Sequence, residues 1–114
     1  VYPVATYYEP ARAAEIYSRQ VAALLEAHGG RIDIALLGMG PDGHTASLFP
    51  GHPQLDPPPG AMAVSVRDSP KPPPERVTLT PAALNRAANA IFLVSGADKA
   101  AKARDALRGP YDPR

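Results

Sequence analysis

The sequence predicts an α/β fold with a mainly parallel sheet flanked by helices. Two short apolar runs, Ile32–Leu37 and Ala90–Ser95, are the first observation. Both are too short for most helices and lack polar alternation, as expected of parallel strands buried on both faces. Segments with helix start and stop signals lie before, between and after them. The third observation is the stretch Gly38 to Gly51, which leaves the first run as a glycine-rich loop carrying Asp42 and His44. In open α/β sheets ligands sit outside the carboxyl ends of the strands, so this loop falls where a binding site is expected.

Each element follows from local chemistry. Val1–Val4 reads as a short strand. Glu9-Pro10 opens a helix, because proline at the first helical position lacks an N–H that would be unpaired anyway. Ala14, Tyr17, Val21, Leu24 and Leu25 recur at helical spacing and make one apolar stripe. Gly29-Gly30 ends the helix, with His28 in its last turn near the favourable end of the helix dipole. After the Ile32–Leu37 strand comes a long loop to about Gly60, with a short helical turn expected around Thr45–Phe49. Its second half carries Pro50, Pro53 and Pro57 to Pro59, which disfavour regular structure. Ala61–Val66 and Arg76–Thr80 read as strands. Between them the proline-rich stretch Arg67–Glu75 is long for a structureless connection and would hold Arg67 and Lys71 at low entropic cost. Thr80-Pro81 supplies a hydroxyl N-cap with proline just inside, predicting a helix over Pro81–Ala88. Ala90–Ser95 follows, Gly96 turns the chain, and a last helix from about Asp98 to Arg108 stops at Gly109-Pro110.

Composition narrows the function classes. The 114 residues suffice for one domain at most, and 45% hydrophobic content is ordinary for a packed core. A net charge of +1 argues against nucleic-acid binding by bulk charge. No apolar segment approaches the roughly 20 residues of a membrane helix. Cysteine is absent, so thiolate and disulfide chemistry are excluded, and a reducing cytoplasm is the expected setting. The chain starts on Val1 and finishes on the turn-rich run Gly109–Arg114, so it is expected to be an interior piece of a longer protein.

Several candidate sites compete. Gly38-Met39-Gly40-Pro41-Asp42-Gly43 matches the G-x-G-x-x-G dinucleotide fingerprint, but Pro41 and the later prolines leave no helix opening to meet a pyrophosphate. Asp56 and Asp68 lie near the acidic position of that motif, yet in loops. His44 and His52, with Asp42 and Asp56, lack the spacing of a known metal set, so no metal is expected. No G-x-S-x-G elbow surrounds Ser47, Ser69 or Ser95. His44 is the stronger candidate, as a general base: imidazole is suited to proton transfer near neutrality. Flanking glycines allow close backbone approach, and Asp42 could fix the tautomer. Lys99 stands in the first turn of a helix, where a cation opposes the dipole; next to Gly96 it makes sense if an anion binds there. Lys102 and Arg104 read as surface.

Three blocks together resemble a known family. Leu36-Leu37-Gly38-Met39-Gly40-Pro41-Asp42-Gly43-His44-Thr45-Ala46-Ser47-Leu48-Phe49-Pro50 looks like the signature of 6-phosphogluconolactonases. Asp68-Ser69-Pro70-Lys71-Pro72-Pro73-Pro74-Glu75-Arg76-Val77-Thr78-Leu79-Thr80 and Ser95-Gly96-Ala97-Asp98-Lys99-Ala100 match the same family, in its order. The resemblance implies a modified Rossmann-like sandwich shared with glucosamine-6-phosphate isomerase/deaminases, incomplete in this chain. It implies hydrolysis of 6-phospho-D-glucono-1,5-lactone in the oxidative pentose phosphate pathway, without metal or cofactor, by an expected monomer. His44 would activate water and Asp42 would orient it. Gly40 and Gly43 would keep the backbone close, while Lys99 and Arg76, and more weakly Lys71 and Arg67, would hold phosphate or sugar oxygens. The deaminase relatives carry an acidic residue where this chain has Phe49, which favours lactone hydrolysis; a non-catalytic sugar-phosphate-binding module is the other alternative. The family's N-terminal phosphate loop and its final strand and helix fall outside the chain, so the 114 residues alone are expected to be inactive or poorly folded.

Overall fold

Helix α1 begins where Pro10 permits it and runs over Pro10–Ala27 in a computed structural model that describes residues 1–112. Its Ala13, Ala14, Val21 and Leu25 are buried, with Tyr17 and Leu24 at the stripe's margin. The helix ends as its glycines dictate: Gly29 and Gly30 take φ of 74° and 78°, and Gly30 N donates to Leu25 O at 2.6 Å.

Among the described residues four strands form two separate ladders. β1 (Ile32–Leu37) pairs in parallel with β4 (Ala87–Phe92), from Ile32 opposite Ala87 to Leu37 opposite Phe92. β2 (Ala63–Val66) pairs antiparallel with β3 (Arg76–Leu79), from Ala63 opposite Leu79 to Val66 opposite Arg76. Helix α1 packs on β2 and β3, so Ala13, Ala14, Val21 and Leu25 share a core with Ala63 and Val66. Ser18 Oγ accepts from Met62 N at 2.8 Å and ties the helix to the start of β2.

Thr80 caps the short helix α2 (Pro81–Leu84) as expected. Its Oγ1 accepts from Ala83 N at 3.1 Å and donates to Ala61 O at 2.8 Å, with the residue wholly buried. The helix stops well before Ala88 because Ile32 N takes Arg86 O at 3.0 Å and the parallel ladder claims the chain from Ala87. The last helix, α3 (Ala100–Arg108), follows a 3₁₀ turn over Ala97–Lys99, two residues later than the sequence suggests.

Three local expectations are corrected. Val1–Val4 forms no strand. Thr45–Phe49 forms a tight turn rather than a helical one: Leu48 N donates to Thr45 O at 2.9 Å, and Ala46 has φ of 52°, a left-handed value no α-helix contains. β1 is present but not covered on both faces, for Ala35 is buried while Ile34 and Leu36 are exposed. The cause is that α1 packs on the other ladder, leaving one side of the β1–β4 pair open. No helix among the described residues is long and apolar enough to cross a membrane. Pro113 and Arg114, the end of the turn-rich run, lie outside the described residues.

Candidate active site

β1 delivers its carboxyl end into a loop that folds back on itself. Gly40 N donates to His44 O at 2.8 Å, Gly43 N donates to Gly40 O at 3.0 Å, and Thr45 Oγ1 donates to Gly38 O at 2.8 Å. Gly43 adopts φ of 91°, a conformation that favours glycine. Gly40 is required for a different reason: a Cβ there would lie 2.2 Å from the His44 ring. The dinucleotide fingerprint is thus used as a closed loop, with no helix opening behind it.

Within this loop Asp42 Oδ1 lies 2.6 Å from His44 Nδ1 and also accepts from His44 N at 3.2 Å. An ionised carboxylate can only accept, so Nδ1 carries the hydrogen, and in the neutral form of the ring the lone pair is left on Nε2. Partial burial pushes the Asp42 carboxyl up, but the hydrogen bonds from the His44 ring and backbone, with the ring's attraction, outweigh it and hold it below the usual carboxylate range. The His44 side chain is only 16% exposed and faces a cleft of about 350 Å³ lined by Gly38, Met39, Gly40, His44 and Ala46.

Phe49 forms the wall behind the histidine. It is 1% exposed, its ring centroid is 4.5 Å from that of His44, and the planes are inclined by 43°. The Arg76 guanidinium sits over the same ring at 5.7 Å. Ser47 N donates to Thr78 Oγ1 at 3.1 Å, so β3 anchors the site loop from a position 31 residues away.

The remaining candidates spread around this centre. Arg76 spends its donors inside the protein: Nε on Pro73 O, Nη2 on Lys71 O and Pro72 O, and Nη1 on Ser47 Oγ at 3.4 Å. It therefore binds the proline-rich loop to the site loop. Lys71 meets it only through a backbone carbonyl, and Arg67 and Lys71 are exposed. Lys99 is half-buried at the start of α3. Lys102, which reads as surface in the sequence, places its side-chain stem 3.8 Å from where a Gly43 Cβ would stand. Lys99 is the N-cap residue of α3 and stands three positions before Lys102, whose stem brings the first turn of α3 beside the site loop. Phe49, Ser47 and Lys102 are the residues whose positions sequence reasoning missed, since no local spacing signals them. Among the described residues no three or more His, Asp or Glu gather as a metal ion would require.

An α/β scaffold with a carboxylate-paired histidine in the loop at the carboxyl end of a parallel strand defines the class of the molecule: an α/β protein whose histidine lies where open sheets of this kind take ligands. The family described as glucosamine-6-phosphate isomerases/6-phosphogluconolactonase matches residues 1–114, and the chain belongs to that family. It is 49% identical over 90 residues to the 6-phosphogluconolactonase of Rattus norvegicus, covering 78% of this chain and 35% of the rat protein. It is 49% identical over 78 residues to a probable 6-phosphogluconolactonase of Drosophila melanogaster, covering 68% of this chain and 32% of the fly protein. The 6-phosphogluconolactonase structure from Trypanosoma brucei superposes with a TM-score of 0.78 at 33% identity, over 98% of this chain and 51% of that one. That from Thermotoga maritima gives 0.77 at 32%, over 94% and 46%. The chain thus spans about a third of the length of these curated relatives and about half of the solved structures.

Proposed function

We propose that the protein hydrolyses 6-phospho-D-glucono-1,5-lactone to 6-phosphogluconate, the hydrolytic step of the oxidative pentose phosphate pathway, with His44 as general base. The observation that carries this reading is the 2.6 Å contact between Asp42 Oδ1 and His44 Nδ1, which directs a basic Nε2 away from the carboxylate. A δ-lactone is already an activated ester, so one base acting on water suffices. Water loses a proton to Nε2 as its oxygen bonds to C1. The tetrahedral oxyanion collapses, the C1–ring oxygen bond breaks, and the proton returns to the departing alkoxide as a hydroxyl. Gly40 and Gly43 keep the loop close to the lactone, and fixed donors stabilise the oxyanion.

Lys99, at the N-cap of α3 three positions before Lys102, supplies positive charge for the phosphate. Lys71 and Arg67 are further candidates for phosphate or sugar oxygens. Arg76 reaches those oxygens only if it gives up some of its loop carbonyls. The reaction uses no metal or cofactor, and the protein acts as a monomer in the cytoplasm on a small sugar-phosphate lactone. Phe49 favours hydrolysis over the isomerase/deaminase chemistry of the same family, because a buried phenyl ring transfers no proton where those relatives carry an acid.

His44→Ala in the intact protein tests the reading. With spontaneous lactone hydrolysis subtracted, kcat is expected to fall at least about 100-fold, while affinity for a sugar phosphate is largely kept. An unchanged rate removes His44 from the mechanism, and absence of lactonase activity in the unmutated protein leaves a sugar-phosphate-binding module.

A further inference from the structure

His52 stands outside the chemistry above, yet it lies against it. The backbone ties it to the site, with His52 N donating to Phe49 O at 3.1 Å and His52 O accepting from Leu55 N at 3.1 Å. Its ring centroid is 5.5 Å from that of Phe49, with the planes inclined by 53°. Phe49 in turn is packed against His44 at 4.5 Å. The three rings form a continuous row, from a loop turn through a buried phenyl to the base.

Two contacts could give His52 a purpose, and their magnitudes differ. Nδ1 approaches Asp68 Oδ1 at 3.7 Å, beyond hydrogen-bond range, and the Asp68 side chain is 70% exposed. With the carboxylate largely in water and no hydrogen bond formed, such a contact contributes little. The contact with Phe49 is with a ring that is 1% exposed, where aromatic packing is worth up to about tenfold in an equilibrium beyond area burial. Packing is the larger effect.

We propose that His52 is a positioning residue for the reaction, holding Phe49 against His44 through ring packing. The inference rests on His44 being the general base. Asp42 fixes one edge of the imidazole, but a single hydrogen bond leaves the ring free to swing about it. Phe49 supplies the wall that limits the swing, and His52 keeps that wall from shifting. Losing the His52 ring leaves a gap beside Phe49 and loosens the Asp42–His44 geometry, which affects the transition state more than substrate binding.

The test uses His52→Ala, His52→Gln, His52→Phe and Asp68→Asn in the intact protein, with His44→Ala beside them. His52→Ala and His52→Gln are expected to lower kcat about tenfold, with KM changed less than about twofold. His52→Phe keeps a ring against Phe49 and is expected to stay within about twofold of the parent, as is Asp68→Asn. In NMR spectra the His44 ring signals are expected to shift or broaden in the Ala and Gln variants and to return in the Phe variant. Parental kcat and His44 signals in His52→Gln overturn the proposal, as does a Phe variant no better than the Gln one. Damage in Asp68→Asn equal to that in His52→Gln also overturns it, in favour of the ion pair. Should His52→Ala fail to fold, the Gln and Phe variants decide. Full activity in His44→Ala is a separate result, which removes the general-base reading instead.

Discussion

At Asp42 two donors from one residue, the His44 ring and its own backbone N–H, converge on a single carboxylate oxygen. The fold therefore favours the ionised carboxylate, whose pKa lies below its ordinary value. In the unfolded chain Asp42 binds a proton at about pH 4, whereas in the folded chain it does so only at lower pH. Its contribution to stability is present in full above that range and is lost as pH falls through the depressed folded value. Melting temperatures of the intact protein and of Asp42→Asn, compared from pH 7 down to 3, are expected to differ most at neutral pH and to converge in acid; a gap independent of pH contradicts this. Most of this pair was legible in the sequence, because residues two apart on a glycine loop meet through local geometry alone. Arg76 was legible only as a cation. Its bonds to Lys71, Pro72 and Pro73 carbonyls depend on how the proline-rich loop curls, which residue type does not reveal.

Among the elements, the helix start at Thr80-Pro81 shows how far local signals reach. Thr80 is wholly buried and its hydroxyl both accepts from Ala83 N and donates to Ala61 O. Thr80→Val keeps the shape but removes the partner of both groups, so it is expected to cost about 2 kcal/mol in denaturant unfolding, combining a lost cap with a part-buried carbonyl that loses its donor. Thr80→Ser, which keeps the hydroxyl, is expected to cost clearly less, and equal losses in the two variants point to packing instead. The end of the same helix was not legible. Pro81–Ala88 continues in good helix formers, but Ala87 is taken into the ladder with Ile32, a partner 55 residues away. Nonlocal backbone pairing overrode propensity there. At Ala46 the reverse holds, since a left-handed backbone in a tight turn broke an apparently helical stretch.

For the molecule as a whole, the open side of the β1–β4 ladder dominates. Ile34 and Leu36 are 60% and 66% exposed, with Ile91 and Leu93 at 44% and 66%. Two-stranded sheets are marginal on their own, and an apolar strip of this kind needs a cover. The related solved structures are about twice as long as this chain. The 114 residues produced alone are expected to bind a hydrophobic dye, to unfold without a sharp transition and to show no lactonase activity. Cooperative unfolding together with robust turnover contradicts this.

The sequence by itself determined the strand-then-loop order, the Asp42–His44 pair, the Thr80 cap and the α/β class, because each depends on residues within a few positions of one another. Only the tertiary structure decided that Phe49 walls the histidine, that Arg76 braces one loop on another, and that β1 stands uncovered on one face. Those outcomes depend on contacts distant in sequence: Ser47 meets Thr78 and Arg76 about 30 positions away, and α1 packs on β2 and β3 rather than on β1. Chain closure of that length is chosen by the fold's total burial and pairing rather than by any local pattern.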